Sequence, residues 1–227
     1  MEEHTPSGNS RSFEATFISY KNSYSNLIWD PTTQNPTLGM TRGKVVIIQN
    51  FNGNSIHGLL YNSFNILGHK HMGTNWDLYD RWVSIKSALS NANSAGSSYL
   101  GFWTGSIGSF PYFVASGKSS PQNGAPRLAT GLTTPGFKSY YPDFPRVACF
   151  IGICSIVFEG MNILGYNYII GNGLNYVGII FTDFFGDSLA QAVVNLNSNL
   201  FGVCTQTQLD QGCTVCTVAV VCVACDE

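Results

Sequence analysis

The sequence predicts an α/β fold with a parallel sheet, because apolar runs of strand length alternate with segments of helical periodicity. Three runs are apolar at consecutive positions, as in strands covered by helices on both faces: residues 45–48, 99–103 and 177–181. We expect these three strands to be parallel neighbours. The 227 residues are enough for one domain with a sizeable core.

The composition excludes several classes of function. Charged residues make up 11% of the chain, against about 25% in typical domains, and the net charge is -2. Without a basic stripe, nucleic acid is not an expected partner. No apolar run reaches the roughly 18 residues of a membrane span. The acidic start of the chain is not a secretory signal, although a longer form that is secreted or peripherally bound to a membrane remains open.

Helical spacing of apolar residues predicts four helices, at residues 12–29, 80–92, 111–117 and 186–197. Ser12 is the expected N-cap of the first helix, and Asp187 that of the last. Pro111 suits the first turn of the third. We interpret Asp80 and Arg81 as solvated charges at the start of the second helix.

The remaining segments are less regular. Residues 51–73 and 117–145 are rich in Gly, Asn, Ser and Pro and are expected to be long loops, whereas residues 74–79 fit a short strand. Residues 146–158 are apolar and fit either a helix or a strand. Polar residues close the apolar runs, and we expect them to gather at the carboxyl edge of the sheet: Asn50, Asp77, Tyr79, Thr104 and Asp183.

The cysteines fall into two groups. Cys149 and Cys154 lie in an apolar segment, and five more crowd the C-terminal end: Cys204, Cys213, Cys216, Cys222 and Cys225. Two C-x2-C pairs in the second group have the spacing of zinc ligands. The β-branched run between them, residues 217–221, favours extended chain and has no Gly or Pro to turn it back. We therefore expect neither metal nor cofactor, and we interpret residues 202–227 as a Cys-rich apolar tail.

Residues 36–51 carry the most specific motif. Leu38-Gly39, then Arg42-Gly43-Lys44 and a β-branched run, resemble the turn that opens the fifth strand of the catalytic domain of phosphatidylinositol-specific phospholipase C. Three further segments resemble that family in the same order. They are Trp76-Asp77-Leu78-Tyr79 at the sixth strand, Ser106 with residues 110–115 after the seventh, and residues 177–184 at the strand that closes the barrel.

The resemblance implies a partial (β/α)8 TIM barrel, about strands five to eight with their helices, over residues 1–201. The implied reaction is cleavage of a phosphodiester, with one histidine as general base and a second as general acid. In the family both histidines precede the position of Arg42. We therefore expect an N-terminally truncated domain that is inactive alone.

The resemblance also implies roles for individual residues. Asp183 matches the catalytic carboxylate that holds the general-base histidine, and Asp77 and Tyr79 match residues that contact the inositol ring. Asn50 stands where the family commonly has an arginine that binds inositol hydroxyls. Asp183 also has a plainer interpretation, since a carboxylate there can favour the N-terminus of the last helix through the helix dipole.

The histidines of this chain do not replace the missing pair. His57, His69 and His71 all fall in the loop predicted after residue 50. The His69-Lys70-His71 spacing suits metal ligands but lacks a third one, so we interpret these residues as solvated loop histidines.

The sequence is compatible with three functions. The first is a phospholipase C-like domain that acts on phosphoinositide headgroups at a peripheral membrane surface. The second is a non-catalytic module that binds inositol or a lipid headgroup, and the third is an unrelated α/β protein. Half of a barrel would leave open sheet edges, and the tail is apolar and β-prone, so we also expect self-association.

Overall fold

The computed structural model describes residues 11–68, 71–94, 98–105, 110–135 and 139–197, and the backbone of Phe201–Gly202, Cys213–Thr217 and Cys222–Cys225. Within this part of the chain the fold is mixed α/β, with helices and four small sheets, none closed into a barrel. The chain divides into two compact units. We call Met1–Phe64 with Leu200–Glu227 the small unit, and Asn65–Asn199 the large unit.

The small unit begins with helix α1 (Phe13–Ser23), whose predicted cap is confirmed: the Ser12 hydroxyl accepts a hydrogen bond from the Ala15 N–H. The helix ends at Ser23 rather than at residue 29. Four short elements follow in the described residues up to Phe64: α2 (Leu38–Thr41), β1 (Ile48–Gln49), β2 (Leu59–Leu60) and a 3₁₀ helix (Tyr61–Ser63). Strands β1 and β2 form a parallel pair. Among the described residues of this unit, Phe17, Ile47 and Phe51 form a cluster of buried apolar side chains.

The large unit is built on a three-stranded parallel sheet in the order β3-β4-β8, where β3 is Asn65–Leu67, β4 is Tyr99–Phe102 and β8 is Ile179–Phe181. The predicted parallel pairing of the second and third apolar runs is confirmed, because β4 pairs with β8. The other neighbour of β4 is β3. The prediction that residues 45–48 would belong to this sheet is therefore wrong.

The described residues of the large unit form four helices: α3 (Asp77–Ala92), α4 (Pro111–Ser116), α5 (Met161–Gly171) and α6 (Asp187–Leu196). Helix α4 matches its prediction and ends at Gly117 in the left-handed conformation that favours glycine. Asp187 is the first residue of α6 rather than its N-cap, a position that Gly186 occupies. Helix α5 was not predicted.

The predicted strand at residues 74–79 is wrong, since α3 begins at Asp77. The Asp77 Oδ2 accepts hydrogen bonds from the Gly73 and Thr74 N–H groups, both at 2.9 Å, which fixes the turn that enters the helix. Apolar side chains then follow at helical spacing on the buried side of α3: Leu78, Trp82, Ile85 and Leu89.

A second, antiparallel sheet occupies a region that was expected to be loop or ambiguous. Its strands are β5 (Ala129–Thr133), β6 (Arg146–Phe150) and β7 (Ile153–Val157), in the order β5-β7-β6. A disulfide joins Cys149 to Cys154 across the turn between β6 and β7. The large unit therefore combines a parallel and an antiparallel sheet.

Helix α5 packs closely against the side chain of Trp103, the residue that follows β4. A Cβ atom at Gly165 would lie 2.3 Å from the Trp103 ring, so only glycine permits this approach. Trp103 belongs to the main core with Trp82, Phe113 and Phe158.

The backbone described near the C-terminus forms three antiparallel strands, β9 (Phe201–Gly202), β10 (Cys213–Thr217) and β11 (Cys222–Cys225). The register places Cys213 opposite Cys225 and Cys216 opposite Cys222. The prediction that the second C-x2-C pair does not fold back on the first is therefore wrong. In the described part of the protein, no helix has the length and apolar character needed to cross a membrane.

Candidate functional site at the carboxyl edge of the parallel sheet

Asp183 lies at the carboxyl edge of the parallel sheet, as the sequence predicted. It follows β8, and its Oδ2 accepts a hydrogen bond of 2.9 Å from the N–H of Gly105, just beyond β4. The backbone after β8 is held by Asn162 of α5, whose Nδ2 donates to the carbonyls of Asp183 and Phe184. The carboxylate is thus positioned by two neighbouring strand ends.

The residue after this aspartate has an unusual backbone. Phe184 has a φ of 50°, in the left-handed region that non-glycine residues seldom occupy. Such strain costs on the order of 1–3 kcal/mol and concentrates at functional sites. Asn162 stabilises this conformation, and the Tyr112 ring contacts the Phe184 ring edge-on at 5.2 Å between centroids.

Exposed aromatic residues lie next to the strand ends in sequence. Phe184 and Phe185 follow Asp183 directly, and Phe110 precedes α4 and is 80% exposed. A half-buried carboxylate beside apolar, solvent-facing rings can orient a donor such as an imidazole or a hydroxyl. The same place suits an amphipathic ligand, because the carboxylate is polar and the neighbouring rings are apolar.

Arg81 has a role that its sequence context did not indicate. The prediction of a solvated charge is wrong, since the side chain is 2% exposed. Its guanidinium donates to the carbonyl of Gly68 after β3, at 2.7 Å, and to that of Phe102 in β4. Burial lowers the pKa of this group. Arg81 thereby ties together two adjacent strand ends, but charge alone gives no signal of such a role.

Asp77 and Tyr79 do not lie at strand ends, and that part of the prediction is wrong. Both belong to the first turn of α3. The Tyr79 hydroxyl donates to Asp143 Oδ2 at 3.3 Å, and its ring packs edge-on against Tyr141 and Phe144. Burial, followed by the negative charge of Asp143, raises the pKa of Tyr79 to about 12. These contacts are structural, and a role in binding inositol stays a prediction.

Asp143 organises the segment beside α3. Its Oδ2 also accepts hydrogen bonds from Trp82 Nε1 at 2.8 Å and from Lys86 Nζ at 2.7 Å. Burial opposes ionisation of Asp143, but the hydrogen bonds from Lys86 and Trp82 outweigh it, so its pKa is lowered. The sequence around this residue is an ordinary Pro-containing loop, which gave no indication of the cluster.

The prediction that Asn50 and Asp183 share one sheet edge is wrong, because Asn50 directly follows β1 of the separate β1-β2 pair in the small unit. Asn50 lies there on the wall of an open groove of about 510 Å³. The polar side chains that line this groove are carboxamides and hydroxyls: Gln49, Asn50, Asn52, Asn54, Ser55, Tyr61 and Asn62. None of its described lining residues is Asp, Glu, His, Lys or Arg. Neutral groups that both donate and accept hydrogen bonds suit a ligand rich in hydroxyls.

Glu14 holds the groove loop in place. The side chain of Glu14 is only 11% exposed, and its carboxylate accepts hydrogen bonds from the Asn54 N–H at 2.9 Å and the Ser55 N–H at 3.1 Å. The His57 ring contacts Glu14 Oε1 at 2.9 Å through its Nε2 atom. The Asn54 N–H and then His57 lower the pKa of Glu14.

The prediction of a solvated His57 is wrong. Its side chain is buried, its ring lies beside Phe17 and Phe51, and Gln49 Oε1 accepts a hydrogen bond from its backbone N–H. His71 is exposed, as expected, and His69 falls outside the described residues. Within the described residues, no group of three or more His, Cys, Asp or Glu side chains could hold a metal ion.

Comparison with protein-family models, with curated proteins and with solved structures finds no match. The resemblance to phospholipase C therefore depends on the four sequence motifs. The structure shows only where the residues of these motifs lie.

Proposed function

We propose that the chain is part of a phosphatidylinositol-specific phospholipase C-like phosphoric diester hydrolase or lyase, which acts on phosphoinositide headgroups in lipid metabolism. The observation that supports this proposal is Asp183, held by the Gly105 N–H at the carboxyl edge of a parallel sheet. In parallel α/β folds, ligands bind outside the carboxyl ends of the strands. In this proposal β3, β4 and β8 are strands of a partial (β/α)8 barrel.

The role proposed for Asp183 is to orient the histidine that acts as general base. A carboxylate that accepts an imidazole N–H selects the tautomer with a free ring nitrogen and stabilises the imidazolium formed when a hydroxyl loses its proton. The described histidines are His57 and His71, and His57 is already engaged by Glu14. Acid–base catalysis is therefore assigned to neither of them.

The exposed aromatic rings beside Asp183 support a substrate at a membrane surface. Phe110, Phe184 and Phe185 present apolar area to solvent around a polar centre, an arrangement that fits a headgroup with attached lipid chains. The Cys149–Cys154 disulfide favours an oxidising, extracellular setting, where such bonds persist.

The second candidate is a headgroup-binding module without catalysis, and the carboxamide groove of the small unit favours it. Asn50 there offers a donor and an acceptor to vicinal hydroxyls without a net charge. The groove thus suits the inositol ring better than its phosphate.

Calorimetric titration of the full chain with myo-inositol 1-phosphate, and with glycerol 3-phosphate for comparison, tests both candidates. We expect saturable binding of the inositol compound only. Asn50→Ala should weaken binding roughly fivefold, the effect of one lost hydrogen bond, while Asn172→Ala, at the exposed end of α5, should leave affinity unchanged. Equal affinity for the two phosphates, or no binding of either, would refute headgroup recognition.

A further inference from the structure

The turn between β6 and β7 presents an uninterrupted apolar surface. Residues 147–153 are all exposed, and none carries a charged or hydrogen-bonding side chain apart from the disulfide-bonded cysteine: Val147, Ala148, Cys149, Phe150, Ile151, Gly152 and Ile153. Phe150 is 74% exposed and Ile151 84%. We call residues 147–154 the stapled tip. Contiguous exposed apolar surface of this kind marks a site of interaction.

The stapled tip is held in one conformation by covalent and backbone constraints. The Cys149–Cys154 disulfide closes the turn, and Phe150 pairs with Ile153 in the antiparallel ladder. Ile151 and Gly152 both have positive φ, which forms the tight turn that presents the Ile151 side chain to solvent. Because the tip is already ordered, binding through it loses little conformational entropy.

We propose that the stapled tip inserts into the interface of a lipid bilayer. Its four large apolar side chains, Val147, Phe150, Ile151 and Ile153, are too few for a stable protein interface, which buries about 1,200–2,000 Å² in total. A bilayer requires no complementary pocket, and each apolar side chain that enters it contributes independently.

The base of the hairpin has the chemistry of the headgroup region. Arg146 begins β6, and its guanidinium donates to the carbonyl of Tyr140, whose side chain is 56% exposed. Phe150 lies four residues further along the strand, which is bulged between Val147 and Phe150 and has a positive φ at Ala148. The guanidinium also donates to the carbonyls of Tyr141 and Phe144, so Arg146 fixes the turn at the base of the hairpin. The exposed Tyr140 of this turn is of the residue type enriched at membrane interfaces.

The proposal does not depend on headgroup recognition. The stapled tip carries no charge, so its insertion requires neither an anionic lipid nor inositol. Vesicles of pure phosphatidylcholine therefore test the tip without engaging the site proposed for phosphoinositides.

The first experiment is flotation of the full chain with phosphatidylcholine vesicles under non-reducing conditions. We expect the wild-type chain to float and Ile151→Asp to partition at least about tenfold more weakly, as loss of one buried aliphatic side chain predicts. The control Val194→Asp replaces an apolar side chain on α6 that is 59% exposed, and it should partition like wild type. Failure of the wild-type chain to float, or equal flotation of all three proteins, would overturn the proposal.

A second experiment measures depth. A tryptophan introduced by Phe150→Trp should be quenched by phosphatidylcholine brominated in its acyl chains, and one introduced by Val194→Trp should not. Equal quenching of the two variants would contradict insertion through the tip. A third experiment, sedimentation of the wild-type chain and of Ile151→Asp, tests for self-association through the tip. Self-association of the wild-type chain that Ile151→Asp abolishes, together with a lack of vesicle binding, would assign the tip to a second copy of the chain. That result would overturn the proposal.

Discussion

Glu14 shows how one carboxylate can order a loop distant in sequence. It lies in α1, yet it accepts hydrogen bonds from the N–H groups of Asn54 and Ser55 and pairs with His57. Without the Glu14 carboxylate, these N–H groups would lie in a partly apolar environment with no acceptor. The free-energy cost of leaving such a donor unsatisfied exceeds the stabilisation that its hydrogen bond provides. The shape of the groove that contains Asn50 thus depends on a residue outside the groove.

We expect Glu14→Gln to lower the melting temperature in a pH-dependent manner. The pKa of Glu14 is below its ordinary value of 4.5 in the folded chain, so its ionised form stabilises the fold above that pH. This contribution is lost as the pH falls through the folded-state pKa. Thermal unfolding from pH 7 down to pH 2 should show the wild-type advantage shrinking toward the acid end.

Asp30→Asn is the matched control for Glu14→Gln. Asp30 belongs to the same unit and forms an ion pair with Lys21, but its side chain is 79% exposed. Exposed pairs contribute little, so this variant should melt close to wild type throughout. A constant difference between wild type and Glu14→Gln down to pH 2 would contradict the assigned role.

Asp143→Asn tests the cluster beside α3. The carboxylate accepts hydrogen bonds from Tyr79, Trp82 and Lys86, and bonds to a charged group are each worth about 1.5–3 kcal/mol. Because the site is partly open to solvent, we expect a loss of about 2 kcal/mol in the free energy of unfolding, measured by urea denaturation. Asp80→Asn, at an exposed position of the same helix, should change stability much less, and equal losses would refute the cluster.

Individual site residues differ in how far their positions follow from sequence. Asp183 was placed correctly because a polar residue that ends an apolar strand must lie at the edge of the sheet. The same pattern misled at Asp77, since a polar residue after a loop also begins a helix, and the segment before α3 is too short to distinguish the two. Arg81 and Asp143 owe their roles to distant carbonyls and side chains, which local sequence does not encode.

At the level of elements, the helices with a clear apolar stripe were predictable. Helix α3 and strand β4 appear close to their predicted bounds, since each carries a periodic signal. Strand β3 has only three residues and lies in an Asn-rich segment, so alternation is too short to detect. Strands β6 and β7 form an apolar hairpin with an exposed tip. Because the exposed residues of the tip are also apolar, the sequence lacks the alternation of apolar and polar residues that identifies a strand.

The contact between α5 and the Trp103 side chain provides a prediction with an internal control. Gly165→Ala would place a Cβ 2.3 Å from the Trp103 ring, so we expect a loss of about 1–3 kcal/mol from overpacking. Gly171→Ala, at the last residue of the same helix, meets no atom within 4 Å and should be neutral or stabilising by up to about 1 kcal/mol. Urea denaturation measures both, and a neutral Gly165→Ala would mean that α5 is not packed this closely.

At the level of the whole molecule, the chain forms two compact units. One predicted site residue lies in the groove of the small unit, and another lies at the sheet edge of the large unit. Asn50 belongs to the small unit and Asp183 to the large one. Sequence periodicity predicted the α/β class but not this division, because the grouping of the C-terminal strands with residues 1–64 depends on contacts between distant segments. That the parallel sheet is part of a (β/α)8 barrel likewise stays a proposal, because it too depends on contacts between distant segments.

The last prediction concerns turnover by the whole chain. Cleavage of phosphatidylinositol needs a general base and a general acid, each worth about 10²–10⁴ in rate. Of the described histidines, His57 is buried against Glu14, and His71 is exposed. We therefore expect the chain to bind the headgroup without releasing inositol phosphate from phosphatidylinositol in mixed micelles, at any pH between 5 and 8. Release that Asp183→Asn abolishes and Asp187→Asn preserves would show instead that this chain supplies its own acid and base, with Asp183 orienting one of them.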